Sequence, residues 1–112
     1  MLEFHIEARA VDDGKAVVEI TGSVDLTTAP ELRNRLAELI DDGNTCIIVD
    51  LTNTDFLDST GLGALVSALK RLRKKDGEIR IVCATSQVRK VFQITSLDRV
   101  FAMHDQLDAA LA

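Results

Sequence analysis

The amino-acid sequence predicts an α/β domain covering residues 1–112: a mixed, mostly parallel sheet of about five strands with an N-terminal β-hairpin and about four helices. Three observations carry that expectation. The chain has 112 residues, 46% of them hydrophobic, which suits one core and not two domains. After an opening pair of strand-like segments, short apolar β-type runs alternate with stretches of helical periodicity across short connections, with no repeat and no linker. Finally, Cys46-Ile47-Ile48-Val49 is apolar without alternation, as befits a strand covered on both faces.

Each element has its own local signal. Phe4, Ile6, Ala8 and Ala10 fall on one side of an extended segment, with His5, Glu7 and Arg9 on the other, the pattern of a half-buried strand. Asp12-Asp13-Gly14 marks a tight turn, and Ala16 to Thr21 resumes the β pattern through Val17, Val18 and Ile20. The first unit therefore reads as an antiparallel hairpin. Thr28-Ala29-Pro30-Glu31 reads as a capping box, with the Thr28 oxygen accepting from the Glu31 amide while the Glu31 carboxylate reaches back. Pro30 falls in the first turn, where its missing N–H does no harm. Leu32, Leu36, Leu39 and Ile40 follow at helical spacing, and Gly43 closes the helix. Asp41 and Asp42 oppose the helix dipole at that end, a misfit the sequence leaves unexplained.

Beyond the Cys46 to Val49 strand, a second helix is expected from about Thr60 to Lys75, with Leu62, Leu65, Val66, Leu69 and Leu72 along one stripe and Asp76-Gly77 as its stop. Ile79 to Ala84 reads as another buried strand. Ser86 is the expected cap of a short helix carrying Val88, Val91 and Phe92. Val100 to Met103 is the expected last strand and Asp105 to Ala112 the last helix.

Composition excludes several functions. Acidic residues outnumber basic ones 18 to 13, a net charge of −5, so nucleic acid and anionic membrane are not the expected partners. With no Trp, no Tyr and four Phe there is no stacking platform for bases or sugars. No apolar run approaches the roughly 18 residues of a membrane span. The opening Met1-Leu2-Glu3-Phe4-His5 has neither the basic region nor the apolar stretch of a signal peptide. Cys46 and Cys83, each in an apolar β run, read as small buried hydrophobes in a reducing compartment rather than as a disulfide or a zinc site. The expected location is the cytoplasm. His5 and His104, near the chain's two ends, read as surface or edge residues. The basic run Lys70-Arg71-Leu72-Arg73-Lys74-Lys75 reads as a solvated face that suits a helix C-terminus, in preference to a phosphate-binding patch.

In α/β folds of this kind, sites form beyond the carboxyl ends of strands, which directs attention to the loops after Val49 and Ile20. The first runs from Asp50 to Gly63 and ends in Asp58-Ser59-Thr60-Gly61-Leu62-Gly63 at the start of the second helix. Asp58, Ser59 and Thr60 all favour a helix N-terminus, and capping alone would account for them. Two features go beyond capping. One such residue suffices, yet three occur in a row. Gly61 and Gly63 also each weaken a helix interior by roughly 1 kcal/mol, leaving a bare helix end that another protein or a phosphoryl group can approach closely.

Known catalytic patterns do not fit. A serine-hydrolase elbow needs Gly two residues before the Ser, where Leu57 stands, and no histidine lies nearby in sequence. An aspartic-protease loop would have Gly directly after Asp-Ser or Asp-Thr. A P-loop would need Gly, four residues and Gly-Lys. Asp50 to Asp55 lacks the glycine and closing glutamate of a calcium loop.

Asp58-Ser59-Thr60-Gly61-Leu62-Gly63, placed after a central strand, resembles the signature of the anti-sigma factor antagonists, bacterial members of the STAS domain family. The resemblance extends over nearly the whole chain, so the fold it implies is a single STAS-like domain. Ile81-Val82-Cys83-Ala84 and Val91-Phe92 fit the family pattern. Gly22-Ser23-Val24-Asp25 matches the family's Gly-acid-Leu-Asp turn only in part, because Ser23 replaces the acid.

The resemblance implies a phosphorylation switch and no catalysis. On that reading Ser59 is phosphorylated by a serine/threonine kinase that is itself the anti-sigma factor. The unmodified protein binds the kinase and frees the sigma factor; the phosphorylated protein lets go, and a metal-dependent serine phosphatase resets it. The implied contact residues are Asp25, Thr27, Thr28, Asp58, Ser59, Thr60, Gly61 and Gly63. The nucleotide and magnesium belong to the kinase, so no cofactor is expected here. Two other readings remain: a STAS scaffold or transport accessory module without the switch, and a two-component receiver phosphorylated on Asp50 with Asp12 and Asp13 as its metal pair.

Overall fold

A computed structural model describes residues 3–112 of the chain. Met1 and Leu2, the first part of the segment read against a signal peptide, lie outside the described residues.

The opening hairpin is present. Strand β1 (His5–Asp12) pairs antiparallel with β2 (Lys15–Val24), Ile6 beside Ile20 and Ala8 beside Val18. Asp13 and Gly14 make the turn, Gly14 at φ +72°, a conformation glycine enters without strain. Burial fades along β1: Ile6 is buried, Ala8 half-buried and Ala10 exposed. β1 is an edge strand, and a bulge between Ala10 and Asp12 bends its end away.

Helix α1 (Ala29–Asp41) follows, but Thr28 does not cap it as expected. Its hydroxyl donates to the Ser23 carbonyl at 2.9 Å and accepts from the Asp25 amide at 2.9 Å, so it fastens the preceding loop. The other end of α1 closes as the sequence indicates. Gly43 at φ +99° lets its amide reach Ile40 O at 3.1 Å and the Asn44 amide reach Leu39 O at 3.1 Å, the paired bonds of a Schellman motif. The Asp41 misfit has a partner: Arg71 of the next helix holds its carboxylate at 2.6 Å.

The chain continues through β3 (Cys46–Asp50), β4 (Thr54–Leu57), α2 (Ser59–Arg73) and β5 (Glu78–Val82). Helix α3 (Ser86–Ile94), a 3-10 turn (Leu97–Arg99), β6 (Ala102–His104) and α4 (Leu107–Leu111) complete it. The N-cap position of α3 is Thr85, not Ser86. Among the described residues the sheet has six strands in the order β1-β2-β3-β5-β6, with β4 beside β2, and every pair except β1–β2 is parallel.

The expectation of about five strands missed β4. Asp50 of β3 sits beside Glu19, whereas Thr54 of β4 sits beside Gly22, so β2 is flanked by β3 along its first half and by β4 along its last residues. Thr54 is buried, and its hydroxyl donates to Ile20 O at 2.8 Å, which satisfies a polar group inside the core.

The main core lies between one sheet face and α1, α2 and α3. Val18, Ile20, Ile47, Val49, Ile79 and Ile81 meet Leu32, Leu36 and Ile40 of α1 and Leu62, Leu65, Leu69 and Leu72 of α2. Phe92 of α3 packs edge-to-face on Phe101, ring centroids 6.0 Å apart. On the other face Val17, Ile48 and Val82 are covered by Ala110 of α4. Both faces of β3 are thus covered, which accounts for its unbroken apolar run. Cys83 is fully buried, but Cys46 is only half-buried, and both thiols are free. His5 and His104 lie on the two edge strands. No helix among the described residues is long and apolar enough to cross a membrane.

Candidate functional site

The extra strand moves the site. Strand β4 divides the segment from Asp50 to Gly63, and β2 runs past Ile20 to Val24, so the site falls on the end of that segment, Asp58 to Gly63, and on the loop after Val24. Val24 and Leu57, the last residues of β2 and β4, lie side by side. The segments that leave them therefore emerge together, one entering α1 through Asp25 to Thr28 and the other entering α2 through Asp58.

Asp58 is the cap of α2. Its Oδ1 accepts from the amides of Thr60 at 2.9 Å and Gly61 at 3.2 Å, and also from the Thr60 hydroxyl. That hydroxyl, followed by the two amides, holds the Asp58 carboxyl below the usual carboxylate range, although the nearby Asp25 charge opposes it. Asp25 is closed on itself in the same manner. Its Oδ1 accepts from the Thr27 hydroxyl at 2.7 Å, the Thr27 amide at 3.0 Å and the Thr28 amide at 3.3 Å. The Thr27 hydroxyl is the leading reason that this carboxyl too is held low.

Of the three consecutive capping-type residues, one caps, one is bound to the cap, and one is spare. Ser59 is the first residue of α2 and is exposed; among the described residues its hydroxyl makes no hydrogen bond. Thr60 is half-buried with its hydroxyl engaged by Asp58.

The two glycines differ. A Cβ on Gly61 would stand 2.5 Å from Leu57 Cδ1 and 2.7 Å from Val24 Cγ1. Gly61 therefore lets α2 seat on the ends of β2 and β4, and it does not provide the open space on the partner side that the sequence reading assigned to it. Gly63 does face a groove, where its nearest neighbour across that space is Arg33 Nη2 at 3.9 Å.

That groove, of ≈ 360 Å³, runs between the first turns of α1 and α2, with Leu26 and Pro30 on one side, Ser59 and Gly63 on the other, and Arg33 among its lining residues. Leu26 is 74% exposed, an apolar side chain projecting beside Ser59. A second hollow of ≈ 510 Å³ adjoins Asp25 and contains Ser23, Asp55, Phe56 and Gln87. There the Ser23 hydroxyl donates to Asp55 at 2.8 Å, so the serine at the family's acidic position meets a carboxylate. Sequence reasoning overlooked Leu26, Arg33 and Phe56. Leu26 carried a signal, a lone large apolar residue between Asp25 and Thr27.

Asp50 is placed poorly for a receiver-type acceptor. It accepts from the Thr52 amide at 3.0 Å, closing its own turn. Asp12 pairs with Lys15 and Asp13 lies in the turn beyond them, and Lys15 pairs in turn with Cys46 at the opposite end of β3. Four residues of strand, about 13 Å, separate the two ends.

The fold and the site define a small α/β domain that presents two closed acidic turns, a bare serine and an apolar side chain at one end of its sheet. The sequence pattern of the STAS domain matches residues 5–110, and the chain belongs to that family. It is 39% identical to the anti-sigma-B factor antagonist of Staphylococcus aureus (strain NCTC 8325 / PS 47) over 80 residues, 71% of this chain and 74% of that one. An anti-sigma factor antagonist from Mycobacterium paratuberculosis has a similar crystal structure, with a TM-score of 0.84, 30% identity and coverage of 99% of this chain and 92% of that one. The Bacillus cell fate determinant SpoIIAA in its phosphorylated form shares the fold, with a TM-score of 0.72, 24% identity and 96% of each chain covered.

Proposed function

We propose that this protein is an anti-sigma factor antagonist whose binding is switched off by phosphorylation of Ser59. The unmodified protein binds an anti-sigma factor that is a serine/threonine kinase and releases the sigma factor held by it. Phosphate on Ser59 ends that binding, and a metal-dependent serine phosphatase restores it. The protein works in the cytoplasm and carries no cofactor. The contact surface comprises Asp25, Thr27 and Thr28 on one loop and Asp58, Ser59, Thr60 and Gly63 at the start of α2, to which Leu26 is added; Gly61, which the resemblance also implied, is buried beneath that surface.

The observation that carries this reading is the state of Ser59: an exposed, unengaged primary hydroxyl on the first turn of α2. A phosphoryl group there adds roughly −1.5 to −2 charges beside Asp58 and near Asp25. A partner shaped for a neutral hydroxyl then meets bulk and charge together. The fold tolerates the group, because a helix N-terminus is a favourable place for an anion.

The test is incubation with the kinase and ATP, followed by mass spectrometry and by affinity measurement on both forms. Phosphate on Ser59 with a loss of kinase binding is expected. Phosphate on Thr60 alone, or equal affinity of the two forms, overturns the assignment.

A further inference from the structure

We propose that Arg33 receives the phosphoryl group carried by Ser59, so that modification closes an ion pair between α1 and α2 inside this chain. The inference rests on the reading of Ser59 as the modified residue and adds to it a receiver for the phosphate.

Arg33 lies on the exposed side of α1 and lines the same groove as Ser59 and Gly63. Its Nη2 is 3.9 Å from the point a Cβ on Gly63 would take. Gly63 follows Ser59 by four residues, so the two share one face of α2, with about 5–6 Å between such Cβ positions. With only a hydrogen at Gly63, the guanidinium has an open path along that face towards the Ser59 hydroxyl. A larger residue at 63 would stand between them.

Charge points the same way. Arg9 is engaged by Glu19, Arg71 by Asp41, Arg80 by Glu78 and Arg89 by Asp105. Arg33, like Arg35, Arg73 and Arg99, takes part in no ion pair or side-chain hydrogen bond among the described residues, and of these four it alone lines the groove at Ser59. Among the described residues, the charged groups beside Ser59 include Asp58 directly before it, Asp25 on the neighbouring loop, and Arg33 across the groove. A dianion placed beside two carboxylates draws in Arg33, the one cation that lines the groove among the described residues. Guanidinium suits this role because it offers phosphate two parallel N–H donors.

The consequence is a change of shape as well as of charge. In the unmodified protein Arg33 leaves the groove beside Leu26 open. In the modified protein it lies across the groove and narrows the surface a partner would enter.

The experiment installs phosphoserine at position 59 during synthesis, so that no kinase is needed. The second ionisation of the phosphate is followed by phosphorus NMR against pH in the otherwise unchanged protein, in Arg33→Ala, in Arg33→Gln and in Arg33→Lys. The expected midpoint with Arg33 is about 0.5 or more below that of the Ala and Gln variants, with Lys between them. The unmodified variants should melt with the parent, since Arg33 is exposed and unpaired. Equal midpoints in all four proteins overturn the proposal. Failure of the kinase to label Ser59 would instead overturn the functional reading and leave this titration intact.

Discussion

The amide of Asp58 donates to the carbonyl of Val24 at 3.2 Å, which ties the residue before α2 to the last residue of β2. That bond fixes the start of α2 against the loop that begins at Asp25. The two halves of the site are therefore held in one register by the sheet, and the consequences can be measured.

The glycines of α2 should respond oppositely to alanine. Gly61→Ala forces a methyl into Leu57 and Val24 and should destabilise by about 1–3 kcal/mol. Gly63→Ala meets no atom within 3.4 Å and should stabilise by about 0.5–1 kcal/mol through helix propensity. Urea unfolding of the two variants decides this.

Asp58→Ala removes the cap of α2 and should cost about 1 kcal/mol. The acid dependence has a definite sign. The Asp58 and Asp25 carboxyls are held below the usual range, so their contribution is full above the unfolded value near 4 and is lost as pH falls through the lower folded values. The unfolding midpoint of the parent should begin to drop below about pH 5 and go on falling through pH 4 and lower, and the gap between parent and Asp58→Asn should shrink over the same interval. A gap that stays constant would remove the ionised Asp58 carboxylate from the account.

Ser59→Ala should keep the fold and bind the anti-sigma partner persistently. Ser59→Asp should bind weakly, as a partial mimic of the phosphorylated state. For phosphoserine itself a loss of about 3 kcal/mol would lower affinity by roughly two orders of magnitude. Calorimetric titration of the kinase with the three forms supplies the values.

Leu26→Ser should leave stability unchanged, because the side chain is 74% exposed, yet weaken the complex. Asp25→Ala should loosen the Thr27 and Thr28 turn without unfolding the domain. Amide shifts on adding the partner should fall on 25–28 and 58–63. Shifts concentrated on Lys70 to Lys75 would place the partner at the wrong end of α2.

Much of this architecture was written in local pattern. The hairpin, α1, β3 and α2 follow from alternation, helical spacing and an unbroken apolar run. Strand β4 does not, because Thr54-Asp55-Phe56-Leu57 is short and buries only its two ends, one of them polar. Its pairing depends on β2 continuing past β3, which no local signal announces. The Asp58 cap was legible because capping is a property of neighbours in sequence. The Thr28 cap was misread because its hydroxyl answers to Ser23 and Asp25 instead. Arg33 and the inward role of Gly61 were illegible for one reason: each depends on a contact made by a different element.

The closed turns at Asp25 and Asp58 also bear on the timing of recognition. The carboxylates of Asp25 and Asp58 close their loops on residues no more than three apart, and the bonds of Thr28 to Ser23 and of Asp58 to Val24 anchor those loops to the sheet. A partner meets a template that is already set, so little ordering is required at the moment of contact. Encounter should then be governed by diffusion and orientation, and modification of Ser59 should be felt chiefly in residence time, as a faster departure of the partner rather than a slower arrival.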